Sequence, residues 1–258
     1  MFIDSHCHLS FPELRAELPA ILAEMATAQV SQAICICTTM EEFPTVQGLA
    51  MAHAPLWATV GVHPDNEDVH EPDVAELVQG AQLPRVVAIG ETGLDYYRLN
   101  GRTLDQMEWQ RERFRTHIRA AIEVAKPLVV HTRNSAADTL AILREEGGER
   151  AGGVFHCFTE TVEVALAAVE LGFYISLSGI LTFKNAQQVR DVAQAVPLDR
   201  LLIETDSPYL APMPYRGKRN SPAYVPYVAQ RLAQIKGVPV DEVARQTSAN
   251  ARRLFALN

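Results

Sequence analysis

The sequence predicts an α/β protein of the (β/α)8 TIM-barrel class with extra C-terminal helices, and three observations predict it. Eight short apolar runs rich in β-branched residues follow one another, separated by longer segments whose apolar residues recur at helical spacing. The runs are near-continuous Val/Ile/Leu stretches, as expected of parallel strands buried on both faces. The length, 258 residues, is ordinary for one such barrel. An open doubly wound sheet would carry a Gly-rich phosphate loop after its first strand, where this chain has His6-Cys7-His8-Leu9.

The first run, Phe2–His8, ends in two histidines one residue apart. On a strand, alternate side chains share a face, so His6 and His8 aim at one point. Pro12–Gln29 follows with Leu14, Leu18, Ile21, Leu22 and Met25 at helical spacing. Ala33–Thr38, Trp57–His63 and Val86–Glu91 are the next three strands. Thr103–Lys126 is the longest helical segment; Trp109, Phe114, Ile118, Ala121 and Val124 read as its packing face, and Pro127 stops it. Strands Leu128–Thr132, Gly153–Phe158, Phe173–Ser178 and Leu201–Asp206 then alternate with helices Ser135–Glu146, Glu160–Leu171 and Asn185–Val196. Pro208–Pro226 is the longest irregular stretch and follows strand 8, on the face where barrel active sites lie. Pro222–Lys236 and Val240–Phe255 close the chain as two helices separated by Gly237 and Pro239. No internal repeat, low-complexity tract or linker interrupts the pattern, so residues 1–258 read as one domain.

A formal net charge of -8 argues against a protein that coats nucleic acid through bulk positive charge, though not against a nucleic-acid enzyme with a local basic patch. Cys7, Cys35, Cys37 and Cys157 fall in apolar runs without a Cys-x-x-Cys pair, which reads as buried reduced thiols in a cytoplasmic protein. The N-terminus lacks the basic and apolar regions of a signal peptide, and no apolar run reaches the roughly 18–20 residues of a membrane span. No membrane association and no obligate protein partner is expected.

The chemistry lies at the strand ends. His6 and His8 end run 1, His63 run 3, Glu91 run 4, His131 run 5, His156 run 6 and Asp206 run 8, and in a barrel those ends converge on one face. Five of the eight histidines are in this set; His53, His70 and His117 fall in helices or loops and read as ordinary. Any one of these residues alone is more simply a satisfied polar side chain, but six strands ending this way point to one site. Converging His, Asp and Glu suit one or two divalent metals. The spacing assigns His6, His8 and Asp206 to one metal and His131 and His156 to a second, with Glu91 between them. Asp206 is then placed to orient or deprotonate a water that two metals activate. Glu204 and Asp95, the latter in the loop after run 4, are candidates to hydrogen-bond ligand histidines; for Glu204 a merely buried carboxylate is an equal alternative.

These residues lie in six motifs: Asp4-Ser-His-Cys-His-Leu9, Gly61-Val-His-Pro64, Gly90-Glu-Thr-Gly-Leu-Asp-Tyr-Tyr97, Val130-His-Thr-Arg133, His156-Cys-Phe158 and Glu204-Thr-Asp-Ser-Pro-Tyr-Leu-Ala-Pro212. In this the chain resembles, over essentially its whole length, the TatD family of metal-dependent deoxyribonucleases within the amidohydrolase-like barrel superfamily. The resemblance implies a binuclear site of His6, His8, Glu91, His131, His156 and Asp206, with His63 beside the metals and touching substrate. Several relatives in the wider superfamily bridge their metals with a carboxylated lysine at the end of strand 4; Glu91 at that position favours the nuclease-like branch.

Arg216, Lys218 and Arg219, flanked by Tyr209 and Tyr215, form a basic, aromatic loop on the active face. Together with Arg133 it suits contact with phosphates and stacking of a base. The expected function is a metal-dependent hydrolase, a deoxyribonuclease of exonuclease type acting on single strands or ends. It would use two divalent ions (Zn, Mg or Mn), with Asp206, Glu91 and His63 in catalysis. The alternatives are an ester or amide hydrolase, such as an aminoacyl-tRNA deacylase or lactonase, on the same site, and a scaffold protein with a structural metal.

Overall fold

The computed structural model describes residues 1–257; Asn258, the last residue of the domain read from the sequence, lies outside them. Eight strands form one parallel sheet in sequential order: β1 Phe2–Cys7, β2 Val30–Cys35, β3 Leu56–Val60, β4 Val86–Asp95, β5 Leu128–Arg133, β6 Gly153–Phe155, β7 Tyr174–Leu177 and β8 Leu201–Ile203. The helices are α1 Pro12–Arg15, α2 Leu18–Thr27, α3 Phe43–Ala52, α4 Val74–Gln82, α5 Glu108–Val124, α6 Ala136–Glu146, α7 Val162–Glu170, α8 Gln187–Ala195, α9 Val225–Lys236 and α10 Val240–Phe255. No described helix is long and apolar enough to cross a membrane.

The barrel closes between its first and last strands. Cys7 bridges Ser207 in parallel, the Asp206 amide donates to the His6 carbonyl at 2.9 Å, and His8 donates to Ser207 at 2.9 Å. The buried Asp4 carboxylate completes the seam by accepting from the Thr205 amide and hydroxyl. Burial pushes its pKa up to about 8, against the lowering effect of the Thr205 hydrogen bonds.

Each strand sends at least one residue inward to a single cluster, among them Ile3, Ile34, Trp57, Val87, Val129, Val154, Tyr174 and Leu202. Ala251, Phe255 and Leu257, at the end of α10 and just beyond, join it and plug the floor of the barrel. Other strand residues, among them Cys7, Ala33, Cys35, Ala58 and Ile89, pack outward against the helices. Burial on both faces explains why the runs read as continuously apolar.

Four sequence expectations need correction. Run 4 does not stop at Glu91: β4 continues to Asp95, pairing Gly93 with His131 and Asp95 with Arg133, so Asp95 lies on the strand and not in a loop. The two glycines of Gly-Glu-Thr-Gly look like loop residues but permit the strand. A Cβ on Gly93, at φ +133°, would stand 2.0 Å from the His131 carbonyl oxygen, and one on Gly90, at φ +146°, 2.7 Å from that of Val129. Conversely, β3, β6 and β8 end before His63, His156 and Asp206, which sit in the turns that leave the barrel. Asp206 takes a left-handed φ of 54°, which aspartate tolerates better than most residues. Pro12–Gln29 is broken into α1 and α2 around Glu17, with a proline in the first turn of α2. The four thiols are free, but Cys157 is only half-buried and faces the Ser178 hydroxyl at 3.2 Å.

Candidate metal centre

The seven residues singled out at the strand ends meet at the mouth of the barrel. His6 Nε2 lies 3.2 Å from His8 Nε2, 3.3 Å from Glu91 Oε2 and 3.6 Å from Asp206 Oδ1, and His8 Nε2 is 3.3 Å from the same Asp206 oxygen. Glu91 Oε1 stands 2.7 Å from His156 Nε2, 3.0 Å from His131 Nδ1 and 3.4 Å from His63 Nε2. The two oxygens of one carboxylate thus face different histidines, and the rings of His6 and His156 stack between them with centroids 3.9 Å apart.

Two carboxylates held below their usual range, Glu91 well below it, define the electrostatics. Burial works against the charge of Glu91, yet His156, His63 and His6 and the His131 hydrogen bond depress its pKa strongly. Burial likewise opposes Asp206, and the hydrogen bond from His8 and the neighbouring histidines outweigh it. The histidines split. Burial, with His156 close by, pulls His6 down. For His8, His131 and His156 burial acts in the same direction but is overcome by Asp206, by Asp95 and Glu91, and by Glu91 and Glu204 respectively, so all three are raised.

The donor set fits divalent metal. Ligand atoms around a four-coordinate zinc with bonds of about 2.0–2.1 Å stand roughly 3.3 Å apart, and the separations on the His6–His8–Asp206 side are 3.2–3.6 Å. Three groupings lie close enough to hold an ion: His6, His156 and Asp206; His6, His8 and Glu91; and His63, Glu91 and His131.

The ring nitrogens pointing away from this centre differ between its two sides. His131 Nε2 is 3.0 Å from Asp95 Oδ2, and His156 Nδ1 is 3.3 Å from Glu204 Oε1, which also accepts from the Cys157 amide at 2.8 Å. Both candidate carboxylates therefore stand behind histidines, as partners that fix ring orientation. His6 Nδ1 and His8 Nδ1 have no partner among the described residues.

His63 differs from the other histidines. Its Nδ1 accepts the Asp65 amide at 3.0 Å, and burial brings its pKa down to about 3. A neutral imidazole whose Nδ1 accepts must carry its proton on Nε2, so His63 presents an N–H to the mouth. That is the chemistry of a hydrogen-bond donor to substrate.

A polar stripe on α5, at spacings of three and four residues, holds the His63 segment. Gln110 accepts from the Asp95 amide at 3.0 Å and donates to Pro64 O at 2.9 Å. Arg113 donates to His63 O at 2.7 Å and to Asn66 O at 2.9 Å. His117 accepts from the Val62 amide at 3.0 Å and donates to Arg113 O at 2.8 Å. The apolar periodicity of this helix hid the stripe; the signal was three polar residues recurring within its core face. His117, an ordinary helix histidine by sequence, is fully buried and props the site from behind.

The expected substrate residues are distributed around the rim. Tyr209 touches Phe11 edge-on with ring centroids 6.3 Å apart, and Phe11 stacks on His8 at 4.8 Å. Arg133 lies over Tyr97, with its Cζ 3.6 Å from the ring centroid. Arg216 lies over Phe183 at 4.3 Å and Lys218 over Tyr215 at 5.9 Å; neither contacts the ligand cluster. Two members of the loop are committed elsewhere. Arg219 pairs with Glu17, and Tyr215 stacks on Tyr224 with centroids 4.2 Å apart and hydrogen-bonds Tyr227.

Residues 3–256 match the family described as TatD related DNase. An uncharacterized metal-dependent hydrolase of Escherichia coli K12, YcfH, is 47% identical over 260 residues, covering 99% of this chain and 96% of its own. The protein named 3'-5' ssDNA/RNA exonuclease TatD of Citrobacter rodentium is 34% identical, covering 92% and 91%. The crystal structure of YjjV, a TatD homolog of E. coli K12, superposes with a TM-score of 0.92 at 31% identity, covering 100% of this chain and 98% of that one.

Proposed function

Because the chain belongs to the TatD-related DNase family and is a metal-dependent hydrolase, we propose that it hydrolyses phosphodiester bonds at the ends of single-stranded DNA on a binuclear metal centre. The observation that carries this reading is Glu91, whose Oε2 faces His6 and whose Oε1 faces His131 and His156. One carboxylate offering a separate oxygen to each set of histidines suits a pair of ions sharing a ligand.

His6, His8 and Asp206 would hold one ion and His131 and His156 the other, with Glu91 between. Two bound divalent ions supply Lewis acidity and a water of lowered pKa. Asp206 has the lone pairs to orient that water and accept its proton, and a carboxyl held below the usual range is ionised and ready to do so. His63 directs its Nε2 proton at a phosphoryl oxygen. Asp95 and Glu204 keep the imidazoles of His131 and His156 turned toward the centre. Arg133, and further out Arg216 and Lys218, meet the phosphates that an acidic protein would otherwise repel, while Tyr209 offers a face to a base. The exonuclease name of the Citrobacter relative agrees with this substrate class.

The test is digestion of 5'-labelled oligonucleotides by the purified protein with added Mg2+, Mn2+ or Zn2+. Stepwise shortening is expected, with His131→Ala and Asp206→Asn slower by on the order of 10³-fold. No cleavage with any of these metals, or variants as fast as wild type, would overturn the nuclease reading. Hydrolysis of an aminoacyl ester or lactone instead would move the chemistry from phosphorus to carbonyl.

A further inference from the structure

We propose that Tyr97 is a positioning residue for substrate: its ring carries the Arg133 guanidinium beside the metal centre, as a preformed anchor for a phosphate of the bound strand. This rests on the nucleic-acid reading above and assigns a role to an aromatic residue not otherwise accounted for.

Tyr97 is 58% exposed, so its ring is not there to fill the core. What it contacts is Arg133, at 3.6 Å from Cζ to ring centroid. The Arg133 guanidinium makes no hydrogen bond or ion pair among the described residues. Arg98, Arg102, Arg113 and Arg219 are by contrast all paired with carboxylates. A guanidinium lying over a ring is held by its face and keeps its N–H edges free for an anion. Arg133 is also two residues from His131 on β5, on the same face of the strand, so those edges lie next to the ligand cluster.

The backbone that carries the ring is fixed as well. The Asp95 carboxylate uses Oδ2 on His131 Nε2 and Oδ1 on the Tyr97 amide at 2.9 Å, so one side chain orients a ligand imidazole and the start of the Tyr97 segment together. Farther along, Arg98 pairs with Asp65 at 3.1 Å and Arg102 with Glu67, tying the segment to the loop that carries His63. The ligand imidazole and the segment that carries the ring are thereby held together before substrate arrives, which lowers the ordering cost of binding a flexible strand.

Steady-state cleavage of a labelled single-stranded oligonucleotide by the metal-loaded protein tests this. Tyr97→Ala should raise KM about 10-fold with kcat within about 2-fold of wild type, Tyr97→Phe should restore most of the loss, and Arg133→Lys should behave like Tyr97→Ala, because an ammonium cannot stack in the same way. In an Arg133→Ala background, Tyr97→Ala should add less than about 2-fold, as expected of two residues acting as one unit. Wild-type KM in Tyr97→Ala, a loss confined to kcat, or an undiminished Tyr97→Ala effect in the Arg133→Ala background would overturn the role alone; the last would make Tyr97 an independent stacking surface. Absence of cleavage by wild type would overturn the nucleic-acid reading and this role with it.

Discussion

The mouth and the floor of this barrel are built from the same eight strands and obey opposite rules. At the floor, Ile3, Trp57, Val154 and Leu202 meet Phe255 and Leu257 in a cluster that is buried and apolar. At the mouth, Glu91, His6, His8 and His156 are almost as thoroughly buried, yet they are ionisable, and His6 and His8 each leave one nitrogen without a described partner. Buried polar groups without partners cost stability, and like-for-like apolar packing would hold the strands better. The mouth is therefore shaped for chemistry and the floor keeps the chain folded, the division of labour known for barrels generally.

Three substitutions or conditions sharpen this contrast, the largest effect first. Glu91→Gln keeps the size of the side chain and removes the one charge facing both sets of histidines. Activity should fall by on the order of 10³-fold or more, while the thermal midpoint of the circular-dichroism melt stays within about 4 °C of wild type. A variant within tenfold of wild-type activity would show that the centre does not depend on a shared carboxylate.

Phe255→Ala should behave the other way round. Emptying a fully buried aromatic site at the floor costs about 3–5 kcal/mol, read from the denaturant midpoint. Activity per folded molecule should remain within about 2-fold, since the residue lies at the opposite end of the barrel from the candidate metal centre. A loss of activity matching that of Glu91→Gln would break the separation between the two ends.

His117 shows that the mouth also draws on conventional stability. Burial lowers its pKa to about 4, from 6.5 when unfolded, with the Arg113 carbonyl opposing the shift. Between those values the unfolded chain binds a proton that the folded chain does not, so this contribution to stability is fully present above pH 6.5 and is lost as pH falls toward 4. Between pH 7 and pH 5 it amounts to about 2 kcal/mol. Chemical denaturation at both pH values, for wild type and His117→Gln, should show the pH dependence shrinking by about that amount in the variant. An unchanged dependence would mean that His117 binds its proton as readily in the fold as in the unfolded chain.

The order of eight strands was legible because it rests on local chemistry: each run is short, β-branched and buried on both faces, and prolines and glycines punctuate the intervals. The residues of the centre were legible for a related reason. Parallel strands in a barrel all present their C-terminal ends to one side, so a ligand residue at each end declares a shared site without any knowledge of distances. Of the intervening helices, α4 is marked in the sequence by its Asp73–Glu76 capping box, whereas α3 has no side-chain cap to mark its start. The basic loop after strand 8 was legible only as composition, and nothing local foretold that Arg219 would turn to Glu17 or Tyr215 to Tyr224.

By itself, then, the sequence determined the barrel and the identity of the residues at its mouth, because strand periodicity and strand polarity act over a few residues and need no partner. Only the tertiary structure decided which atoms face which. Whether Glu91 reaches both sets of histidines, whether His63 offers a proton or a lone pair, which carboxylates stand behind His131 and His156, and which arginine lies free upon a ring all depend on side chains brought together from distant strands. Those contacts arise only when the seam between His6 and Asp206 has closed.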